Sequence, residues 1–409
     1  MGKRDTGMGR GLWATRGSLD RLMKGRANGF GLIRLVLAVS VVISHANPLG
    51  FHRDDVGTRF SGSQTNLGTV AVIGFFVISG YVITGSAKRL SVGRYAWHRA
   101  LRILPGMWTC VLFTAFALAP VLYHHEHHTL TGFHLHDPLD YVAAMWNVSN
   151  DGGDIARVLA TGMHHHTNFN VNFNGALWSL RYEVLCYIVI GVLAAGGTLL
   201  RARRTVPLVA GCLWILMIMN LWDAPSLRAA PNEPYTWLQL PLLGGMDTHF
   251  VIYLGFTFLL GSTMELYRER IPVNDLLALA CAALLLGSLR YGAFYVVGCP
   301  AFAYLLIWAG VRTPRQLHWV GRRNDHSYGL YIYGFLVEQT LSLLGFAHRG
   351  RIVYTLLAVA VTWVLAWLSW HLVEKQAMRL KGWTPGRPTD RPVPPQPEPT
   401  RSLETSSVA

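Results

Sequence analysis

The chain is short of charge. Asp, Glu, Lys and Arg together make up 14% of its 409 residues, where a soluble domain carries about a quarter. That shortage excludes an ordinary soluble globule and goes with a mean hydropathy of +0.29. Cysteine is scarce as well. Cys110, Cys186, Cys212, Cys281 and Cys299 lie in or beside apolar runs and form no CxxC pair, which excludes a disulfide framework and leaves them as small apolar residues. No secretory signal is expected, because the first apolar run starts late and has no small-residue cleavage site. There is no internal repeat, no HExxH pair and no GxSxG elbow.

What the chain does have is apolar length. Runs near the roughly 20 residues needed to span a bilayer fall at about 30–49, 67–86, 103–123, 176–198, 206–222, 249–266, 274–289, 291–310, 327–345 and 352–373. An even number of spans puts both termini on one side. With the amino terminus inside, the inner segments hold 27 of the 36 lysines and arginines and the outer segments hold seven, the positive-inside pattern. The net charge of +14 is thereby assigned to topology and asks for no nucleic-acid partner. The expected fold is an all-α polytopic membrane bundle of about ten transmembrane helices with both termini cytoplasmic. Residues 1–26 read as a basic cytoplasmic arm and 27–380 as the membrane domain. Residues 381–409, Pro-rich and polar, read as a disordered cytoplasmic tail.

Two predicted outer loops are long. The first, about 124–175, contains "HHEHH", "HLH" and "HHH". The spacings match no fixed zinc pattern, so the loop reads as solvated and pH-sensitive, with no metal assigned. The second, about 223–248, is rich in Pro and aromatics and is a candidate wall of a substrate entrance.

Ionisable groups inside spans are costly and tend to mark a site. In "GLIRLVLAVSVVISHANPL", Arg34 and His45 are eleven residues apart. At about 100° per residue they share one helix face, about 16 Å apart along the axis. Snorkelling to the inner headgroups also accounts for Arg34, and a carbonyl contact or an interface position for His45. Arg99 and Arg102, in "WHRALRILP", are i,i+3 neighbours at an inner helix start. Either they anchor the topology or they clamp a phosphate-rich ligand. Ser79 brings a hydroxyl deep into the second span beside Gly74, Gly80 and Gly85, small residues that let backbones approach. Ser179 and Glu183 share a face of the fourth span, with Arg181 pointing elsewhere. Helical rise puts Glu183 at a depth similar to His45, where a carboxylate would orient an imidazole; a structural Glu–Arg pair is the simpler alternative. The ninth span carries Ser327, Tyr328, Tyr331, Tyr333 and Glu338, an aromatic belt with some helix contacts.

Taken in order, "NGFGLIRLVLAVSVVISHANPL", "FFVISGYVITGS", "RALRILP", "LWSLRYEVLCY", "SYGLYIY" and "LVEK" resemble the acyltransferase-3 family of integral membrane O-acyltransferases. The resemblance covers about 28–375. It implies a bundle of about ten helices that takes an acyl group, often acetyl, from a cytoplasmic donor such as acetyl-CoA, with no permanently bound cofactor. The implied acceptors are hydroxyls of envelope polysaccharides, lipid-linked sugars or, in some members, secondary metabolites. The implied setting is the bacterial plasma membrane. The family's helix-one histidine falls on His45, the expected catalytic base, and its helix-one arginine on Arg34. Its RxxR pair falls on Arg99 and Arg102, and its WSLxxE glutamate on Glu183. With Ser79 these are the expected catalytic (His45, Glu183) and donor-binding (Arg34, Arg99, Arg102, Ser79) residues.

The chain departs from the pattern in three places. Gly31 stands where relatives often have Asp, Leu336 and Gln376 where prolines are common. A transporter or flippase of a lipid-linked or small anionic substrate also needs intramembrane charge. Against it, no inverted repeat is visible. A third reading is an inactive scaffold using its basic arm and tail.

Overall fold

The computed structural model describes residues 17–23, 28–148, 173–231 and 236–383. It is mainly helical. We number the long helices α1 (Phe30–Phe51), α2 (Leu67–Ala87), α3 (Val92–Phe113), α4 (Leu180–Ala195), α5 (Thr205–Asp223), α6 (Thr248–Leu266), α7 (Asp275–Tyr291), α8 (Cys299–Arg312), α9 (Ser327–Leu343) and α10 (Arg351–Ser369). Among the described residues, eight helical stretches are long and apolar enough to cross a membrane. The two others, α7 and α9, are 17 residues each. Counting the π-turn Phe294–Gly298 that leads into α8, all ten coincide with the apolar runs of the sequence to within a few residues, apart from α3. That helix begins before Arg99, because "VGRYAWHRAL" is already helical, and it continues past a π-turn at Thr114–Leu118 into Ala119–His127.

Packing follows small residues. A Cβ on Gly80 of α2 would lie 1.9 Å from the Phe258 carbonyl oxygen of α6, and one on Gly261 of α6 would lie 2.0 Å from that of Val77. The two backbones touch through these reciprocal glycines, as the small residues of α2 imply. Nearly every residue of α9 is buried, so it forms the centre of the bundle, against α1 on one side and α10 on the other. In contrast α5 fully buries only Val206, Ala210 and Met217 and exposes most of its other apolar residues.

Two features lie outside an all-helical expectation. Trp237–Leu240 and Gly244–Asp247 pair as an antiparallel hairpin, β1 and β2. Its turn places Leu242 at a positive φ of 68°, a conformation that helical periodicity does not signal. The described part of the amino-terminal arm is docked. Leu19 N–H bonds to the Ile271 carbonyl at 2.9 Å, and Asp20 meets Arg268 at 2.8 Å. The rest of the arm before residue 17, the tail from 384 onward and His164–His166 lie outside the described residues.

Candidate active site

The polar residues of the bundle form two groups, one at each end of α1. At the end where α1 begins, a cavity of about 80 Å³ is bounded by α1, α2, α3, α4 and α9. Arg34, Ser79, Arg99, Arg102, Glu183 and Tyr187 all line it. Five of the six residues expected from sequence thus meet in one place. The volume admits only a few water molecules.

The electrostatics of this cavity depend on a residue that the sequence reading passed over. Asp325, in the turn before α9, places Oδ2 2.8 Å from Arg34 Nη1 and 2.7 Å from Arg102 Nη2. Its Oδ1 accepts from Ser327 Oγ at 2.5 Å and from Ser327 N–H at 3.2 Å. Burial alone would raise the pKa of this carboxyl. Arg102, Arg34 and the Ser327 bonds outweigh it and hold the group below the usual carboxylate range. Arg102 also faces Glu374 of the "LVEK" motif at 3.6 Å, and Ser369 Oγ donates to that carboxylate at 2.9 Å.

Arg99 and Arg102 both line the cavity but are engaged differently. The i,i+3 step leaves the two side chains about 60° apart around the helix. Arg102 turns to Asp325 and Glu374. Arg99 stands 5.8 Å from the centre of the Tyr187 ring and has no acidic partner among the described residues. Glu183 accepts from Ser79 Oγ at 3.0 Å and from Tyr187 OH at 2.5 Å. Arg181 points away from the cavity, to the Gly245 carbonyl of the hairpin.

At the other end of α1, His45 Nδ1 lies 3.2 Å from Asp55 Oδ1. The distance suits an ion pair, although the ring N–H is not aligned for a good hydrogen bond. Such alignment often tightens only with substrate bound. Asp55 is itself fixed: Ser44 Oγ donates to Oδ1 at 3.0 Å, and Ser44 Oγ accepts from Gly68 N–H at 3.0 Å. Phe335 of α9 meets the imidazole edge-to-face at 5.5 Å. Glu338 is fully buried on α9.

The expected pairing of Glu183 with His45 is corrected by these contacts. Ser44, the neighbour of His45, touches Gly68 in the first turn of α2. Glu183 touches Ser79, eleven residues further along the same helix, or about 16 Å. The depth estimate counted residues from the ends of two spans whose ends do not lie level. The carboxylate beside His45 is Asp55. It escaped notice because α1 ends at Phe51, His52 takes a left-handed conformation, and the chain folds back. No helical spacing connects positions 45 and 55.

One face of α9 joins the two groups. Tyr328 lies under Arg102, with 5.4 Å from guanidinium to ring centre, Tyr331 OH bonds Ser179 Oγ at 2.6 Å, and Phe335 packs on His45. From Tyr328 to Phe335 is about 10 Å along the helix. An imidazole oriented through Nδ1 by a carboxylate leaves Nε2 free to take a proton. The chemistry available is general-base catalysis at one end and anion handling at the other. Among the described residues no group of three or more His, Cys, Asp or Glu side chains gathers to hold a metal.

A family model described as an acyltransferase domain matches residues 28–371. The chain is 29% identical over 363 residues to an O-acetyl transferase of Shigella phage Sf6, covering 86% of this chain and 96% of that protein. It is 25% identical over 372 residues to nodulation protein 10 of Rhizobium leguminosarum bv. viciae, covering 87% and 95%. No solved structure matches.

Proposed function

Since the chain belongs to the acyltransferase-3 family, we propose that this integral membrane acyltransferase moves an acyl group, acetyl first of all, from acyl-CoA to a hydroxyl of a cell-envelope carbohydrate or lipid-linked sugar. The setting is a bacterial plasma membrane, crossed ten times if α7 and α9 also span it, with both termini in the cytoplasm. The phage relative, named an O-acetyl transferase, supports the acyl group and the hydroxyl acceptor. The observation that carries the mechanism is His45 held by Asp55 at the opposite end of α1 from the arginines.

In this mechanism the donor enters at the arginine end, the cytoplasmic one. The thin thioester arm follows the α9 face past Tyr328 and Tyr331, with Ser79 and Glu183 lining its first part. The cavity must widen to admit it. His45 Nε2 takes the proton of the acceptor hydroxyl while the oxygen attacks the thioester carbonyl. The C–S bond breaks, the proton passes from His45 to the departing thiolate, and ester and free CoA result. Asp55 stabilises the imidazolium between the two transfers. The family match and this acid–base pair favour group transfer over transport without chemistry.

The test uses purified protein in liposomes with acetyl-CoA and envelope glycans. His45→Ala, at normal expression, is expected to lower transfer about 10²–10⁴-fold. Undiminished transfer would overturn the base assignment. Mass spectrometry of envelope glycans from cells with and without the protein would show which acceptor loses an acyl mass.

A further inference from the structure

The inner cavity is poorly suited to the charged head of the donor. Three guanidiniums line or adjoin it, those of Arg34, Arg99 and Arg102. Three carboxylates, Asp325, Glu374 and Glu183, stand among them. A nucleotide bearing a diphosphate and a further phosphate brings several negative charges, and burying them uncompensated is costly. The 80 Å³ of the cavity is also far smaller than a nucleotide.

A second cleft abuts this cavity at Ser327, which lines both. It holds about 640 Å³ and is walled by Trp319, Arg322, Arg323, Asp325 and the start of α1 at Gly31. Trp319 is 72% exposed and lines this cleft. Arg322 and Arg323 are exposed, and neither has an acidic partner among the described residues. The neighbouring Arg312, by contrast, is matched to Asp275. A Cβ at Gly31 would lie 2.1 Å from the Val320 carbonyl oxygen, so glycine at this position lets the 319–326 segment lie directly on α1. That segment delivers Asp325 to Arg34.

We propose that this cleft is the seat of the donor's nucleotide head. The adenine stacks on Trp319, and the phosphates pair with Arg322 and Arg323. Asp325 and Ser327 form the threshold across which only the uncharged arm passes into the inner cavity. This assignment rests on the acyl-CoA reading and relocates the phosphate contacts from Arg99 and Arg102 to the loop before α9.

The experiment compares two donors and one fragment, with the full-length protein in neutral phosphatidylcholine liposomes. Acetyl-CoA carries the nucleotide, acetyl-pantetheine lacks it, and adenosine 3′,5′-bisphosphate is a nucleotide without the arm. Trp319→Ala and the double variant Arg322→Gln, Arg323→Gln are expected to raise KM for acetyl-CoA about tenfold or more. They should weaken binding of the bisphosphate similarly and leave kcat/KM for acetyl-pantetheine unchanged. The double variant Arg322→Lys, Arg323→Lys should recover part of the loss, and Arg315→Gln, on the same loop outside the cleft, should behave as wild type. Unchanged KM and binding in the variants overturn the seat. An equal loss with both donors also overturns it, since that marks a structural or lipid-headgroup role. If the wild type binds the bisphosphate in an Arg322- and Arg323-dependent way yet transfers no acyl group from any donor, the acyltransferase mechanism fails and the seat stands.

Discussion

The two ends of α1 are built differently. The histidine end is assembled from near neighbours: Ser44, His45, Asp55 and Gly68 lie within 25 residues of chain, and one returning loop brings them together. The arginine end gathers Arg34, Arg102, Asp325 and Glu374 from four distant parts of the chain. The first is a small His–Asp pair held by a turn, catalytic on the proposed mechanism. The second is a balanced ionic network that exists only when α1, α3, α9 and the end of α10 are already packed. Loss of a group should therefore appear mainly in rate at one end and mainly in stability at the other.

The largest expected effect is at the histidine end. Asp55→Asn keeps the shape but removes the charge that steadies the imidazolium, and transfer should fall about a hundredfold or more while thermal unfolding in detergent stays near wild type. A large fall in unfolding temperature with little loss of rate would erase the contrast. At the arginine end, Asp325→Asn leaves two guanidiniums short of a carboxylate and should cost about 2–3 kcal/mol of stability. Its pH dependence follows from the lowered folded-state pKa. The contribution is fully present above the unfolded carboxylate value of about 4 and is lost as pH falls through the still lower folded value. The stability gap between wild type and Asp325→Asn should be constant from about pH 5 to 8 and close only in stronger acid. A gap that shrinks with rising pH across that range would refute this account.

Gly31→Ala tests the seam between α1 and the 319–326 segment. The added methyl meets backbone, so the segment must shift, at about 1–3 kcal/mol, with a raised KM for acyl-CoA. An unchanged unfolding temperature would mean that the segment yields freely. Ser79→Ala should matter least. Glu183 keeps the Tyr187 hydroxyl, so the loss is about 1 kcal/mol, and transfer should stay within a few-fold.

Much of this was legible in the residues. The apolar runs locate all ten long helices, and the positions of Arg34, Ser79, Arg99, Arg102 and Glu183 lead to one cavity. The pairings were not legible. Helical spacing speaks only for residues on the same helix, so it placed Arg34 and His45 on one face but matched His45 to Glu183 by depth alone. Asp325 sits 291 residues from Arg34 and 223 from Arg102, beyond any local pattern. The hairpin at 237–247 carries no alternation strong enough to separate it from a loop.

By itself the sequence determined that this chain lies in a membrane, where its helices run and which ionisable groups they carry. Those follow from apolar length and from the cost of charge in hydrocarbon, both local properties of the chain. Only the tertiary structure decided which carboxylate serves which cation, that Arg102 is already neutralised, and why residue 31 is a glycine. Each of those depends on where a distant backbone segment comes to rest. The space beside Gly31 is taken by Val320, and that contact carries Asp325 to the arginines.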